Sequence, residues 1–114
     1  MTKLNKALRT AIATIPECIA AAYIDLSNGM LLGSRSADPH ATAIIEVLAV
    51  AIVDLNDSSH FFQEIIANSD NLIHVFLRGN KPDYVACFIC SKSANLGMVL
   101  TKARSVMHSL EEAV

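Results

Sequence analysis

The sequence predicts an α+β fold in which one five-stranded antiparallel sheet carries helices on both faces. Apolar residues make up 53% of the 114 residues and charged residues only 18%, which is typical of a folded chain. Aromatic residues contribute 5% and tryptophan is absent, so the predicted core is aliphatic. The spacing of apolar residues predicts the element order α-β-β-α-β-β-β-α along the chain. The sequence has no internal repeat or linker. At this length we expect a single domain over residues 1–114.

The first helix and the hairpin after it have clear local signals. Apolar residues at three- and four-residue spacing predict a helix over Thr2 to Thr14, which Pro16 ends. Two apolar runs follow, Cys18 to Ile24 and Met30 to Leu32. The Asn28-Gly29 pair lies between them and predicts a β-hairpin, because both residues tolerate positive φ.

The second helix is predicted from Pro39 to about Leu55, because Asp38 is a favoured N-cap and proline is favoured at the first helical position. Its predicted inward face consists of Ala41, Ile44, Ile45, Leu48, Ile52 and Leu55. Its predicted outer face consists of Ala43, Glu46, Ala49, Val50 and Val53. A solvent-facing helix surface normally carries several charges, whereas this outer face is mainly small and apolar. We therefore expect both sides of this helix to be covered.

Three strand-like runs and a last helix complete the predicted order. The runs are Phe61 to Ala67, Leu72 to Leu77 and Tyr84 to Cys90, and turn-forming residues separate them, which favours an antiparallel meander. If the first of these strands lies at a sheet edge, its backbone N–H and C=O groups invite pairing with another strand. The last helix carries an apolar stripe of Leu96, Val99, Leu100, Ala103, Val106, Met107 and Leu110.

Composition argues against several classes of function. The net charge of −2 gives no basic surface for nucleic acid. The sequence has no apolar stretch of the roughly 20 residues that a transmembrane helix needs, and its N-terminal pattern lacks a secretory signal. We therefore expect a cytoplasmic protein with no membrane insertion. Because the mean hydropathy is nevertheless high, at +0.41, we also expect apolar surface to be buried against a second copy.

The residues that could carry chemistry match no catalytic or metal-binding pattern. Cys87 and Cys90 have the spacing of a redox pair, but in a strand residues three apart point to opposite faces. The histidines share no short metal-ligand spacing, and the P-loop, dinucleotide and nucleophile-elbow motifs are absent. We predict no enzyme activity, no cofactor and no metal site. His74, inside a strand, is predicted to be partly buried and hydrogen-bonded.

The order of elements and three short motifs resemble the roadblock/dynein light chain (roadblock/LC7) family. The motifs are a first helix ending in Ile15-Pro16, a strand-turn-strand with Asp25, Gly29 and Ser34, and a last helix opening with Asn95-Leu96-Gly97. The resemblance covers essentially the whole chain. One departure is Glu17, since many relatives have glycine after the proline.

The resemblance implies a profilin-like or longin-like sheet, with the middle helix on one face and the two terminal helices on the other. It also implies a homodimer in which the third strands pair edge to edge and the middle helices pack together. Its members are similar in being non-catalytic adaptors or regulators that bind a Ras-like small GTPase or a motor or signalling complex. The predicted contact residues are Ala43, Glu46, Ala49, Val50, Val53, Phe61, Phe62, Gln63, Ile65 and Ala67.

The alternative function, from a different class, is a small-ligand sensor of PAS or GAF type, because a sheet covered by helices can also enclose a pocket. The aliphatic core and the lack of a polar cluster that could hold a ligand disfavour it. A closed pocket would favour the sensor, and a tightly packed interior would favour the adaptor.

Overall fold

The computed structural model describes residues 2–37, 39–57 and 62–114, and its elements follow the order α-β-β-α-β-β-β-α. They are α1 (Lys3–Thr14), β1 (Cys18–Asp25), β2 (Leu31–Ser36), α2 (Pro39–Asp57), β3 (Glu64–Asn68), β4 (Leu72–Leu77), β5 (Tyr84–Ser91) and α3 (Leu96–Glu112). The predicted α+β fold class is confirmed. Asp38, the predicted N-cap of the second helix, lies outside the described residues.

The described strands form one antiparallel sheet in the order β2-β1-β5-β4-β3. The central strands β1 and β5 are almost entirely buried, and their sequences are nearly continuously apolar because helices cover both faces of the sheet there. β2 and β3 lie at the two edges, and their residues are partly buried or exposed. β3, the third strand, therefore lies at a sheet edge, which is the condition for the strand pairing that the resemblance implies.

The side chains of the sheet belong to two apolar clusters, one on each face. α1 and α3 pack on one face, which we call the α1/α3 face, and α2 packs on the other, the α2 face. Alternation along β5 divides its residues between the clusters: Ala86, Phe88 and Cys90 lie on the α1/α3 face, and Val85, Cys87 and Ile89 on the α2 face. The arrangement of helices that the resemblance implies is confirmed.

Local chemistry explains the ends of the terminal helices. Thr2 caps α1 and Asn95 caps α3, and in each case the side-chain oxygen accepts a backbone N–H of the first turn at 3.1 Å. Ile15 follows α1 in an extended conformation directly before Pro16, as predicted. Glu17 then has a φ of 52°. That conformation favours glycine, the residue that the resemblance implies at this position.

The predicted hairpin joins β1 and β2, but Asn28 contributes to it differently from the prediction. Gly29 has a φ of 75°, whereas Asn28 is not among the described residues with positive φ. The side chain of Asn28 instead accepts the Met30 N–H at 2.8 Å. Asp25 closes the loop, because its carbonyl accepts the Gly29 N–H at 2.8 Å and its N–H donates to the Met30 carbonyl at 2.9 Å.

β2 continues past its predicted end at Leu32 to Ser36. Its second half is polar because an edge strand is not buried on both sides, so apolar periodicity could not mark its end. α1 packs closely on this strand at Gly33. A Cβ atom at Gly33 would lie 2.8 Å from Leu4 Cδ2 and 3.2 Å from Leu8 Cδ1.

We expect Gly33→Val to lower the free energy of unfolding by about 1–3 kcal/mol, because the new side chain would overlap Leu4 and Leu8 and force α1 away from the sheet. Chemical denaturation followed by circular dichroism measures this loss. Ser34→Val is the matched control, since Ser34 is exposed and the change should stay within about 0.5 kcal/mol. Equal stability of the two variants would contradict the close packing of α1 on Gly33.

Candidate protein-interaction surface

α2 buries one face against the sheet and exposes a second apolar face. The residues buried against the sheet are Ala41, Ile45, Ala49 and Ile52. The exposed face, which we call the outer face, includes Ala43, Glu46, Val47, Val50 and Ala51. Val47 and Val50 have 69% and 64% of their surfaces exposed. With Ala43 they are spaced four and three residues apart, so they form a stripe along the helix. An exposed apolar stripe of this kind is a candidate interaction site.

The backbone of β3 presents hydrogen-bonding groups at the open edge of the sheet. The Gln63 carbonyl accepts a backbone N–H from the residue after β4 at 2.8 Å, and the Ser69 N–H donates to the first residue of β4 at 3.0 Å. Residues that bond the neighbouring strand alternate in an antiparallel pair, so positions 63, 65, 67 and 69 face β4. The backbone N–H and C=O groups that point away from β4 are those of Glu64, Ile66 and Asn68.

A partly covered apolar strip joins this edge to α2. α2 contacts mainly β1 and β2, so β3 and β4 extend beyond it on the α2 face. Several partly buried apolar residues pack on the buried cluster of the α2 face. They are Phe62 before β3, Ile65 in β3, Leu72 in β4, and Ile44 and Leu48 on α2. We call the outer face of α2, this strip and the open edge of β3 the α2–β3 surface.

Arg78 supports the chain that enters β3. Its guanidinium carbon lies 4.5 Å from the centre of the Phe62 ring, within the range of a cation–π contact, and the residue is only 8% exposed. Burial lowers the pKa of Arg78, and Asp83 acts in the opposite direction. On the other face, Arg104 Nη2 of α3 bonds Glu64 Oε2 of β3 at 2.7 Å. Side-chain contacts therefore stabilise the β3 edge of the sheet on both of its faces.

His74 lies in β4 on the α2 face, between Ala67 of β3 and Ile89 of β5. It is partly buried, as predicted, but its Nε2 atom is buried and makes no hydrogen bond within the part of the chain that the structure describes. Burial lowers the pKa of His74, because the charged imidazole loses its hydration. The neutral ring therefore belongs to the apolar floor of the α2–β3 surface.

The cysteines are divided between the two faces of the sheet. Cys87 lies on the α2 face and Cys90 on the α1/α3 face, so the predicted separation of these two thiols is confirmed. Burial raises the pKa of Cys87 to about 12, which keeps it a thiol. Among residues 2–37, 39–57 and 62–114, no three His, Cys, Asp or Glu side chains are grouped so that they could hold a metal ion. None of the described helices combines the length and apolarity needed to cross a membrane.

Solved structures share this architecture over nearly the whole chain. The chain is similar to the gliding protein MglB of Thermus thermophilus, with a TM-score of 0.80 and 14% identity over 97% of this chain and 87% of that one. An MglB with a tetrameric arrangement gives a TM-score of 0.79 and 16% identity over 98% and 90%. A roadblock/LC7 domain from Streptomyces avermitilis gives 0.74 and 10% over 94% and 93%. The chain has the roadblock/LC7 fold.

The chain is similar to other roadblock folds in three-dimensional structure but has low sequence identity to them. No family model and no curated protein matches the chain. The three-dimensional match nevertheless confirms the resemblance that the short motifs around Pro16, Gly29 and Asn95 indicate.

The roadblock fold brings most of the predicted contact residues to the α2–β3 surface. Those that are exposed are Ala43, Glu46, Val50, Gln63 and Ala67, and those that are partly buried are Val53, Phe62 and Ile65. Phe61 lies outside the described residues. β3 itself begins at Glu64, so Phe62 and Gln63 precede the strand instead of belonging to it.

The prediction that Ala49 belongs to the outer face is wrong. Ala49 is 2% exposed and packs in the cluster on the α2 face, whereas Leu55, predicted to point inward, is 40% exposed. α2 is therefore rotated relative to the predicted orientation, and Ala49 lies in the same cluster as Ala20 and Ala22 of β1. The sequence reading also missed Val47 and Ile66. The predicted faces of α2 leave Val47 unassigned. An apolar residue that fits neither face of an apolar helix is the sequence signal that points to Val47.

Proposed function

We propose that this chain is a single roadblock-type domain that acts in the cytoplasm as a non-catalytic homodimeric adaptor, binding a Ras-like small GTPase or another protein. The observation that carries the proposal is the α2–β3 surface. It combines an apolar helix face, centred on Val47 and Val50, with an open strand edge. A second copy of the chain can cover both at once, because a two-fold axis brings each feature against its own counterpart.

The spacing of outward backbone groups on β3 defines how two copies would pair. With the two-fold axis at Ile66, the Ile66 residues exchange both of their backbone hydrogen bonds, and Glu64 of each copy faces Asn68 of the other. This register places no like charges opposite each other. It also removes the open edge, which is otherwise prone to nonspecific pairing. The two sheets become continuous, and the two α2 helices lie on the same face of the combined sheet.

The similar MglB with a tetrameric arrangement supports self-association as a property of this architecture. The small GTPase partner follows from the resemblance to roadblock proteins. The packing also supports the adaptor over the small-ligand sensor. Both faces of the sheet are filled by buried aliphatic and aromatic side chains. A groove of about 430 Å³ between the end of β4 and α3 is an open surface feature, with Glu64, Arg104 and Glu111 in its lining.

We expect the protein alone to hydrolyse no GTP, because its sequence has no P-loop, and to bind a Ras-like GTPase from its own cell. Gel filtration of the protein mixed with that GTPase, loaded with GDP or with a non-hydrolysable GTP analogue, measures the complex. Met98→Asp, on the exposed part of α3, is a control that should leave binding unchanged. No complex in either nucleotide state, together with a tightly held metabolite in the purified protein, would contradict the adaptor and favour the sensor.

A further inference from the structure

Cys18 and Cys90 face each other across the two central strands. They are direct partners in the pairing of β1 with β5, and both side chains lie in the cluster on the α1/α3 face. The Cys18 thiol lies within hydrogen-bond distance of the Ala20 carbonyl, at 3.2 Å. The two thiols are near enough for each to shift the pKa of the other. The two thiols therefore occupy neighbouring positions in one buried cluster at this end of β1 and β5.

The backbone at this pair suits a covalent bond. Directly opposite residues of antiparallel strands have Cα atoms about 4.5–5.5 Å apart, and disulfides span Cα distances of about 4.4–6.8 Å. The register of β1 shifts immediately after Cys18, between Cys18 and Ala20. The separation typical of directly opposite residues is therefore within the range that a disulfide spans.

The two thiols differ in reactivity. The interaction with Cys90 lowers the pKa of Cys18, whereas the interaction with Cys18 and burial raise the pKa of Cys90. Cys18 is 7% exposed and follows the exposed residue Glu17, whereas Cys90 is completely buried. The thiolate is the reactive form of cysteine, so Cys18 is the nucleophile of the pair and Cys90 its resolving partner.

We propose that Cys18 and Cys90 are a peroxide-sensitive pair that closes to a cross-strand disulfide. The Cys18 thiolate attacks one oxygen of hydrogen peroxide, the O–O bond breaks, and the departing hydroxide takes a proton from solvent to leave as water. Cys18 is then a sulfenic acid. The Cys90 sulfur attacks the Cys18 sulfur, the S–S bond forms and the S–O bond breaks. The hydroxide leaves with the Cys90 proton as a second water, so one peroxide is reduced as the two thiols are oxidised.

The bond would join the ends of β1 and β5 that lie next to the terminal helices. Glu17, next to Cys18, already bridges these ends, since its carboxylate accepts from Ser93 Oγ at 2.8 and 2.9 Å and its carbonyl accepts the Ser91 N–H at 3.1 Å. The disulfide adds a covalent link at the same place. Because it lies on the α1/α3 face, it leaves the α2–β3 surface unchanged.

The test exposes the fully reduced full chain to hydrogen peroxide and follows intact mass, peptide maps and thermal unfolding. We expect a mass loss of two hydrogen atoms, a Cys18–Cys90 cross-linked peptide and a Tm raised by roughly 5–15 °C, all reversed by dithiothreitol. Cys87→Ala should react in the same way. Cys90→Ser should stop at a sulfenic acid on Cys18, which dimedone labels, and Cys18→Ser should lose the reaction.

The proposal is overturned if native protein keeps all three thiols while urea-unfolded protein reacts, or if the cross-linked peptide contains Cys87. Dimedone labelling of Cys90 in Cys18→Ser would overturn the assigned roles. If a serine variant does not fold, the peptide map of the unaltered protein still decides the linkage.

Discussion

Val50→Asp is expected to convert the dimer into monomers, with association weakened by about a hundred- to several thousandfold. Val50 lies at the centre of the outer face of α2 and is 64% exposed in the single chain, so the monomer tolerates an aspartate there. In the proposed dimer each aspartate would be buried against the partner helix without a counter-charge. Leaving an uncompensated buried charge costs roughly 3–5 kcal/mol, which corresponds to that change in affinity.

Sedimentation velocity at micromolar concentration measures this effect, with circular dichroism to verify that the variant folds. Met98→Asp is the matched control, because Met98 is 48% exposed on α3, away from the α2 face. It should sediment like the unaltered protein. A Val50→Asp variant that remains a stable dimer would exclude the outer face of α2 from the interface.

Ile66→Pro is expected to weaken association by roughly ten- to a hundredfold while leaving the fold intact. Its backbone N–H points away from β4, so proline removes no hydrogen bond of the chain's own sheet. In the proposed dimer this N–H and its symmetry mate form the two central bonds between the β3 strands. Losing both costs about 1–3 kcal/mol, at about 0.5–1.5 kcal/mol each.

Ile66→Val keeps the backbone N–H and a β-branched side chain, so it serves as the control for Ile66→Pro. Sedimentation equilibrium compares their dissociation constants, and denaturation verifies that both retain the stability of the unaltered chain. Equal dissociation constants for the two variants would show that the β3 edge is not used for self-association. Loss of folding in the proline variant would instead contradict the assignment of which β3 residues bond β4.

Local signals were sufficient to predict the fold, because each element carries its own chemistry. Pro16 ends α1, Asn95 caps α3, and the apolar run of β5 identifies a strand that is buried on both faces. The order of these elements leaves few ways to build one sheet with its helices on both faces. The structure confirms that order and the implied positions of the helices.

The features that the sequence did not predict depend on contacts between distant elements. The orientation of α2 places Ala41 and Ala49 in one cluster with residues of β1, which the apolar wheel of an almost uniformly apolar helix does not specify. The juxtaposition of Cys18 with Cys90 depends on the register between β1 and β5, which no local spacing encodes. The three-residue spacing in the sequence suggests Cys87 as the partner of Cys90, but Cys87 lies on the α2 face and Cys90 on the α1/α3 face.

The outer face of α2 illustrates a sequence signal that indicated an apolar face without identifying all of its residues. The lack of charges opposite the core-facing residues predicted a second covered face, and the structure shows Val47 and Val50 exposed there in the single chain. Their exposure is the observation that a second copy of the chain would explain.

Sedimentation equilibrium of the unaltered protein at micromolar concentrations tests the proposed homodimer most directly. Because the α2–β3 surface exposes both an apolar helix face and an open strand edge, we expect a molecular mass of twice 12.3 kDa that falls towards the monomer only on strong dilution. A mass of 12.3 kDa throughout the micromolar range, with the protein folded, would contradict the homodimer and the adaptor surface built on it.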